Sequence, residues 1–371
     1  MTILALSIGW QSLHAQVNLP PNGNNQRSVV KQYMGMAYVG FDYHSPDVHA
    51  PDGTDRRGHI WGELVPYGLN NLGFGPSQAA PWRAGANENS VFFTSHDIMI
   101  QGEKLPAGKY GFHIIVEETG DWTLIFNENT EAWGSFYYEP ELDVLRVKAT
   151  PEESHYHEYL TFGFTDRSLE SCTAYMAWED KMLPFTIEIP NVHKLYMAQL
   201  KEDLTGQKGF SWVNLTTAAN YAVQNGQDLD QALTWAEAAV SQPFVGQANF
   251  ATLSTKANVL RAMEKEEEAD ETMQAALELP GTSVFQIHQY GRQLIGMGKA
   301  EAAMEVFEYN AERFPDTWPI NVGLARGYSA IGEYKKALKH TELALEKAPD
   351  DLNRNSLTNM IEMLKNKQDV N

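Results

Sequence analysis

Residues 287–315 read IHQYGRQLIGMGKAEAAMEVFEYNAERFP, and residues 318–349 read WPINVGLARGYSAIGEYKKALKHTELALEKAP. The two segments keep step with each other. Ala269, Ala303 and Ala337 recur at intervals of 34 residues, as do Gly298 with Gly332 and Pro315 with Pro349. Two short helices and their turns occupy a period of this length. The residue types suit that mechanics. A small alanine lets the second helix approach the first, a glycine makes the turn inside the hairpin, and a proline stops the second helix because it cannot continue one. A weaker unit spans 253–280. The weakest spans 212–243, where Ala232 precedes Ala269 by 37 residues rather than 34. Stacked hairpins leave an apolar face at the end of the array, and 357–365 is expected to cover it as a capping helix.

The spacing and residue types of this half resemble those of the tetratricopeptide-repeat family. The resemblance implies an α-helical solenoid over 211–371 that offers a surface to a protein or peptide partner. Residues 191–210 read as a helical bridge, expected to pack on the array.

Upstream the period is two. Trp122, Leu124 and Phe126 alternate with their neighbours, as do Leu160, Phe162 and Phe164, then Cys172, Ala174, Met176 and Trp178, then Leu183, Phe185, Ile187 and Ile189. Alternation places one face of a strand on a core and the other toward water. Turn chemistry separates the runs, as at Leu105-Pro106-Ala107-Gly108 and Thr119-Gly120. About nine short strands with regular turns predict an antiparallel β-sandwich over 27–190. The fold class is therefore multi-domain, β then α: a β-sandwich followed by a helical solenoid.

Composition narrows the function classes. The 371 residues are 43% apolar, enough for two cores, and carry 48 acidic against 28 basic groups, a formal charge of −20. That balance disfavours nucleic acid and anionic lipid as partners. Cys172 is the only cysteine, so no disulfide framework or cysteine-based zinc site is available. No apolar run has the roughly 18 residues of a membrane span. Residues 3–10 form a short apolar run, followed by Leu13-His14-Ala15. This is the pattern of a secretory signal, 1–15, cut after Ala15. A polar linker, 16–26, follows. The expected location is outside the cytoplasm, periplasmic or secreted.

One stretch of the sandwich breaks the alternation: His59-Ile60-Trp61-Gly62-Glu63-Leu64-Val65-Pro66-Tyr67-Gly68, resuming after an insertion at Trp82-Arg83-Ala84-Gly85-Ala86-Asn87-Glu88. With Leu105 to Tyr110, Trp122 to Asn127, Trp133-Gly134, Asp143 to Val147 and Trp178-Glu179, these segments resemble the bacterial family of unknown function DUF2911, common in Bacteroidetes. The departures are the long loop 70–80 and His59, where the family more often has Arg or Lys. The resemblance fixes the domain, leaves its chemistry open, and agrees with export.

The unusual residues admit two readings. In the first, Trp61, Trp82, Arg83, Asn87, Glu88 and His59 line a ligand cleft. Flat aromatic faces beside amide and acidic groups suit a glycan or another small ligand. Glu63 and Glu88 would then be candidates for a hydrolase acid/base pair, provided one cleft holds both at about 5 to 9.5 Å. In the second, the same residues are structural: Glu88 pairs with Arg83 as a brace, Asn87 caps a turn, and the tryptophans are core. His155 and His157 fall on one side of a strand, but two imidazoles do not make a metal site. His44, His49, His59 and His96 lie on separate segments. No HExxH, GxSxG, Walker loop or GxGxxG occurs, so no metal or cofactor is expected and no enzyme class is indicated. The whole-chain reading is an exported interaction protein. Ligand binding by the sandwich is the alternative, and hydrolysis the second.

Overall fold

The computed structural model describes residues 25–371; the expected signal and most of the linker lie outside the described residues. The described chain divides into two compact units, meeting at Val192.

In the first unit, the period-two runs become ten strands: β1 (Gln26–Met34), β2 (Ala37–Ser45), β3 (Ser90–Thr94), β4 (Ile98–Ile100), β5 (Glu103–Leu105), β6 (Gly108–Ile115), β7 (Trp122–Asn127), β8 (Asp143–Ala149), β9 (Glu152–Thr165) and β10 (Ser171–Glu188). They form a six-stranded sheet in the order β1-β2-β3-β6-β7-β8 and a four-stranded sheet, β5-β4-β10-β9. All pairings between these strands are antiparallel. The sheets meet through aromatic side chains. Phe41 of β2 stacks on Phe162 of β9 at 4.3 Å between ring centroids, and Phe112 of β6 lies 6.1 Å from Phe185 of β10. Aromatic pairs of this kind add to the large area they bury.

One expectation needs correcting. β7 was predicted to turn alternate residues to water, yet all six are buried. A short 3-10 turn (Gly134–Tyr137) follows it, and Tyr138 then joins Ile115 and Ile125 in a small core cluster on the outer face of the sheet. That cover makes the strand read as apolar on both faces.

The second unit is helical. α1 (Val192–Asp203) leads into four hairpins: α2 (Trp212–Gln224) with α3 (Leu229–Ser241), α4 (Phe250–Ala262) with α5 (Glu266–Glu278), α6 (Val284–Gly296) with α7 (Ala300–Arg313), and α8 (Ile320–Ala330) with α9 (Tyr334–Glu346). α10 (Asp351–Lys365) closes the stack. Ala269, Ala303 and Ala337 are each fully buried at the helix contacts, as the spacing requires. Gly298 and Gly332 turn the two best hairpins at φ +74° and +78°, a left-handed conformation that a side chain would strain. Asp228 is the N-cap of α3, accepting from Gln231 N at 3.2 Å. Met197, with Leu200 and Leu204, packs into the core around α2 and α3, so α1 is fastened to the first hairpin.

Candidate functional site

The long first-sheet connection, between β2 and β3, carries the candidate residues. Its first arm is fastened at several points. Ile60 and Val65 are buried anchors, and Val65 N donates to Ile60 O at 2.8 Å while Gly62 N donates to Val65 O at 2.9 Å. Glu179 accepts from Gly58 N. It sits in a bulged part of β10, buried, and burial pushes its carboxyl upward. The second arm runs beside β6: Trp82 N donates to Ile114 O, and Ile114 N donates to Trp82 O at 2.8 Å. Between the arms, Asn70 and Ala80 exchange backbone hydrogen bonds, closing the 70–80 loop at its base.

Trp61 and Trp82 meet edge to face at 5.8 Å, and Trp82 lies nearly parallel to Trp178 at 6.1 Å. Trp61 also packs on buried Trp122 at 5.0 Å. Four tryptophans distant in sequence thus form one cluster. The indole N–H groups of Trp61 and Trp178 are buried without an acceptor among the described residues.

A cleft of about 400 Å³ opens beside this cluster. Trp82, Arg83 and Asn87 line it, together with Trp178, Ser135 and Arg56. Ala84 and Asn87 have φ of 51° and 59°. The turn they make is closed by Arg83, whose Nη1 donates to Asn87 O at 2.5 Å. The guanidinium lies 5.2 Å from the Phe136 ring centroid, and burial lowers its pKa. Beneath it, His113 is fully buried and bonded to Ser135 Oγ at 3.1 Å. Burial pushes His113 down to about 4 against the opposing Asp143 charge, with the Arg83 charge adding to the fall, so it is a neutral imidazole at pH 7.

The other candidates go elsewhere. Glu88 does not pair with Arg83, so the expected brace is corrected: a loop carbonyl takes its place. Glu88 instead faces His44 at 3.2 Å and lines a second cleft with Arg27, Lys31 and Asp42. Glu63 pairs with His59 at 2.9 Å on an exposed turn, and that carboxylate holds His59 above the ordinary imidazole value. Glu63 lines neither cleft. The structure therefore does not bring the two carboxylates together as a hydrolase pair requires. Trp61 belongs to the tryptophan cluster rather than to the cleft wall. His155 and His157 stand side by side, rings 4.2 Å apart, but among the described residues no three His, Cys, Asp or Glu side chains could hold a metal ion.

Residues that sequence reasoning missed as cleft members are Trp178, Ser135, Arg56 and Asp47. Trp178 and the Trp133-Gly134 step beside Ser135 are motif fragments in the sequence, whose spacing gives no sign that they converge on Arg83.

The helical unit has a polar strip. The first helices of successive hairpins are linked by side chains: Asn220 donates to Thr255 Oγ1 at 3.3 Å, and Gln293 donates to Asn258 Oδ1 at 3.3 Å. Farther along, Arg292 is exposed, and Arg326 of α8 is held below the ordinary guanidinium value by burial and then by Arg292. Residues after α10 return to this helix as a short non-helical segment. Arg326 Nη1 donates to Val370 O at 3.0 Å, Val370 N donates to Ser329 Oγ at 3.1 Å, and Ser329 Oγ donates to Asp369 at 2.7 Å. Val370 is buried in the core of the last hairpin and α10.

Fold and site together define a protein with a cleft-bearing β-sandwich followed by stacked helical hairpins. Residues 25–187 match the family described as "Protein of unknown function (DUF2911)". Among solved structures, the chain is similar to a tetratricopeptide repeat protein from Parabacteroides merdae ATCC 43184, with 16% identity, 47% of this chain and 68% of that chain covered, and a TM-score of 0.31. It is also similar to nearly identical TPR-like repeats from Podosopora anserina, with 18% identity, 41% of this chain and 84% of that chain covered, and a TM-score of 0.30. No curated protein matches the chain. The repeat architecture itself rests on the 34-residue spacing and the four hairpins.

Proposed function

We propose that this chain is an exported interaction protein whose helical repeats bind a non-helical segment of a partner protein along the first-helix face. One observation carries the reading: that face already holds a non-helical piece of chain. Residues 369–371 lie against α8 through the Val370 carbonyl and N–H, the Asp369 carboxylate, the Asn371 side-chain amide and one buried apolar side chain, contacts that a partner segment with an acidic, a small apolar and an amide residue in succession would offer. The strip continuing over Asn258, Gln293 and Arg292 supplies further donors and acceptors. Stacked hairpins give a surface of this kind without a change of fold. Export rests on the apolar run 3–10 and the small-residue step after it, and is tested by following cleavage at Ala15 in a bacterial host.

Selection of displayed peptides against the full chain tests the binding reading. The selected peptides are expected to lose at least about tenfold in affinity when Asn258→Ala and Arg326→Gln are combined. Peptides that bind this folded variant unchanged would place the interaction elsewhere.

A further inference from the structure

We propose that the cleft at Arg83 is a binding site for a small carboxylic acid with an apolar body. Arg83 is set apart from the other arginines of the sandwich that are held in ion pairs. Arg27, Arg56, Arg57 and Arg146 each meet an aspartate, at 2.5, 3.6, 2.5 and 2.6 Å. Arg83 has no carboxylate within ion-pair distance among the described residues, although it is half-buried and burial lowers its pKa. Taking a charge partly out of water without a counter-charge is costly, and an anion arriving at this guanidinium would offset that cost.

The guanidinium is positioned rather than neutralised. Asn87 O fixes Nη1, the Phe136 ring lies to one side, and bare backbone lies against it at Gly134. A Cβ at Gly134 would fall 2.1 Å from Arg83 Cζ, so only glycine permits this seat. Nη1 is committed to the loop carbonyl. The Nε and Nη2 N–H groups, which form the opposite fork, have no acceptor among the described residues. Two parallel donors on one planar edge match the two oxygens of a carboxylate side-on.

The rest of the cleft sets the remainder of the ligand. Its volume of about 400 Å³ lies in the range of small-molecule sites. Trp82, Trp178, Leu64, Leu72 and Pro81 give it apolar walls for a hydrocarbon or aryl body. The other charges lining it, Arg56 and Asp47, face each other at 3.6 Å. Among the described residues the cleft thus offers one free cation beside an internally matched pair, and this suits a monoanion better than a phosphate dianion, which would call for a second cation.

The test is calorimetric titration of the full chain with phenylacetate, 2-phenylethanol as its neutral counterpart, phenyl phosphate and a methyl glycoside. Phenylacetate is expected to bind saturably, at least about tenfold more tightly than the alcohol or phenyl phosphate, and Arg83→Gln to weaken it at least about tenfold. Arg83→Gln also removes the bond to Asn87 and could unfold the loop. Leu72→Glu set beside its neutral isostere Leu72→Gln, at an exposed rim position, then decides alone: both lose the same apolar wall and should weaken the alcohol alike, whereas the carboxylate should weaken phenylacetate several-fold more than the amide does, and equal weakening of phenylacetate by the two overturns the proposal. The proposal is overturned if the alcohol or the glycoside binds as well as the acid. Preference for phenyl phosphate, or absence of any saturable acid binding, overturns it equally.

Discussion

Gly291→Ala should destabilise the helical unit, although in an ordinary helix interior the same change stabilises by about 1 kcal/mol. Gly291 lies in α6 against Phe307 of α7. A Cβ at Gly291 would fall 2.5, 2.6 and 3.0 Å from three atoms of the Phe307 ring. Carbon atoms in contact ordinarily sit about 3.5–4.0 Å apart, so the ring would have to retreat by about 1 Å. It has nowhere to go. On its other side the same ring is pressed by Gly323 and Gly327 of α8, where added Cβ atoms would lie 2.7 and 2.9 Å from it. Overpacking a filled core costs about 1–3 kcal/mol, which outweighs the helix-propensity gain. The expected net is a loss of about 1 kcal/mol. Gly296→Ala is the internal control. It is also in α6, but nothing lies within 4 Å of its added Cβ, so it should gain up to about 1 kcal/mol. Urea unfolding followed by circular dichroism at 222 nm at fixed pH reads both. Adding Phe307→Leu to Gly291→Ala should recover part of the loss, a coupling that independent sites would not show. If Gly291→Ala stabilised as much as Gly296→Ala, the ring would not be wedged between the helices and this account of the stack would be wrong.

Three further predictions concern other parts of the chain. His113 is held at about 4 by burial against an ordinary 6.5, so between those values the unfolded chain binds more protons than the folded one. Sandwich stability should therefore fall as pH drops from 6.5 toward 4, by roughly 3 kcal/mol at most, and His113→Gln should flatten that slope in pH-resolved denaturation. Trp122→Ala should cost about 3–5 kcal/mol in the sandwich transition, since it empties a fully packed site under Trp61 and removes the bond to Glu117 O; a loss under about 1 kcal/mol would contradict that packing. Ser283→Ala should cost the helical unit about 1 kcal/mol, because Ser283 and Gln286 form a reciprocal cap at the start of α6, and a neutral substitution would count against the cap.

The repeats were legible because their physics is local and periodic. Ala257, Gly291 and Ala325 stand at the same step of three units and are all buried, as are Met273, Phe307 and Thr341 across from them. In the middle unit the small residue meets the larger one directly, Gly291 against Phe307, and a single sequence displays the recurrence of both positions at 34 residues. The alternation of the sandwich was equally readable, except at β7, where cover supplied by 134–138 has no local signature. The candidate site was legible only in part. Arg83, Trp82 and Asn87 share one connection and do line one cleft, but Glu88, on the next residue, faces another. Asn87 sits at φ 59° in a turn outside any strand, and which way the side chains on either side of such a turn are sent is set by tertiary contacts rather than by sequence spacing. Trp178 reaches the cleft from β10 and Ser135 from the turn after β7, a convergence set by topology rather than by spacing.

The most direct test of the interaction reading uses the chain's own non-helical segment. Val370→Asp should unseat residues 369–371 from α8 while leaving the helices folded, because Val370 is their buried contact. A fluorescein-labelled peptide of sequence NKQDVN, residues 366–371, is then titrated into this variant and its polarisation recorded. Saturable binding that disappears when Arg326→Gln is added is the result predicted for a face that holds non-helical chain. Polarisation that never saturates, or that saturates equally without the Arg326 guanidinium, would contradict it.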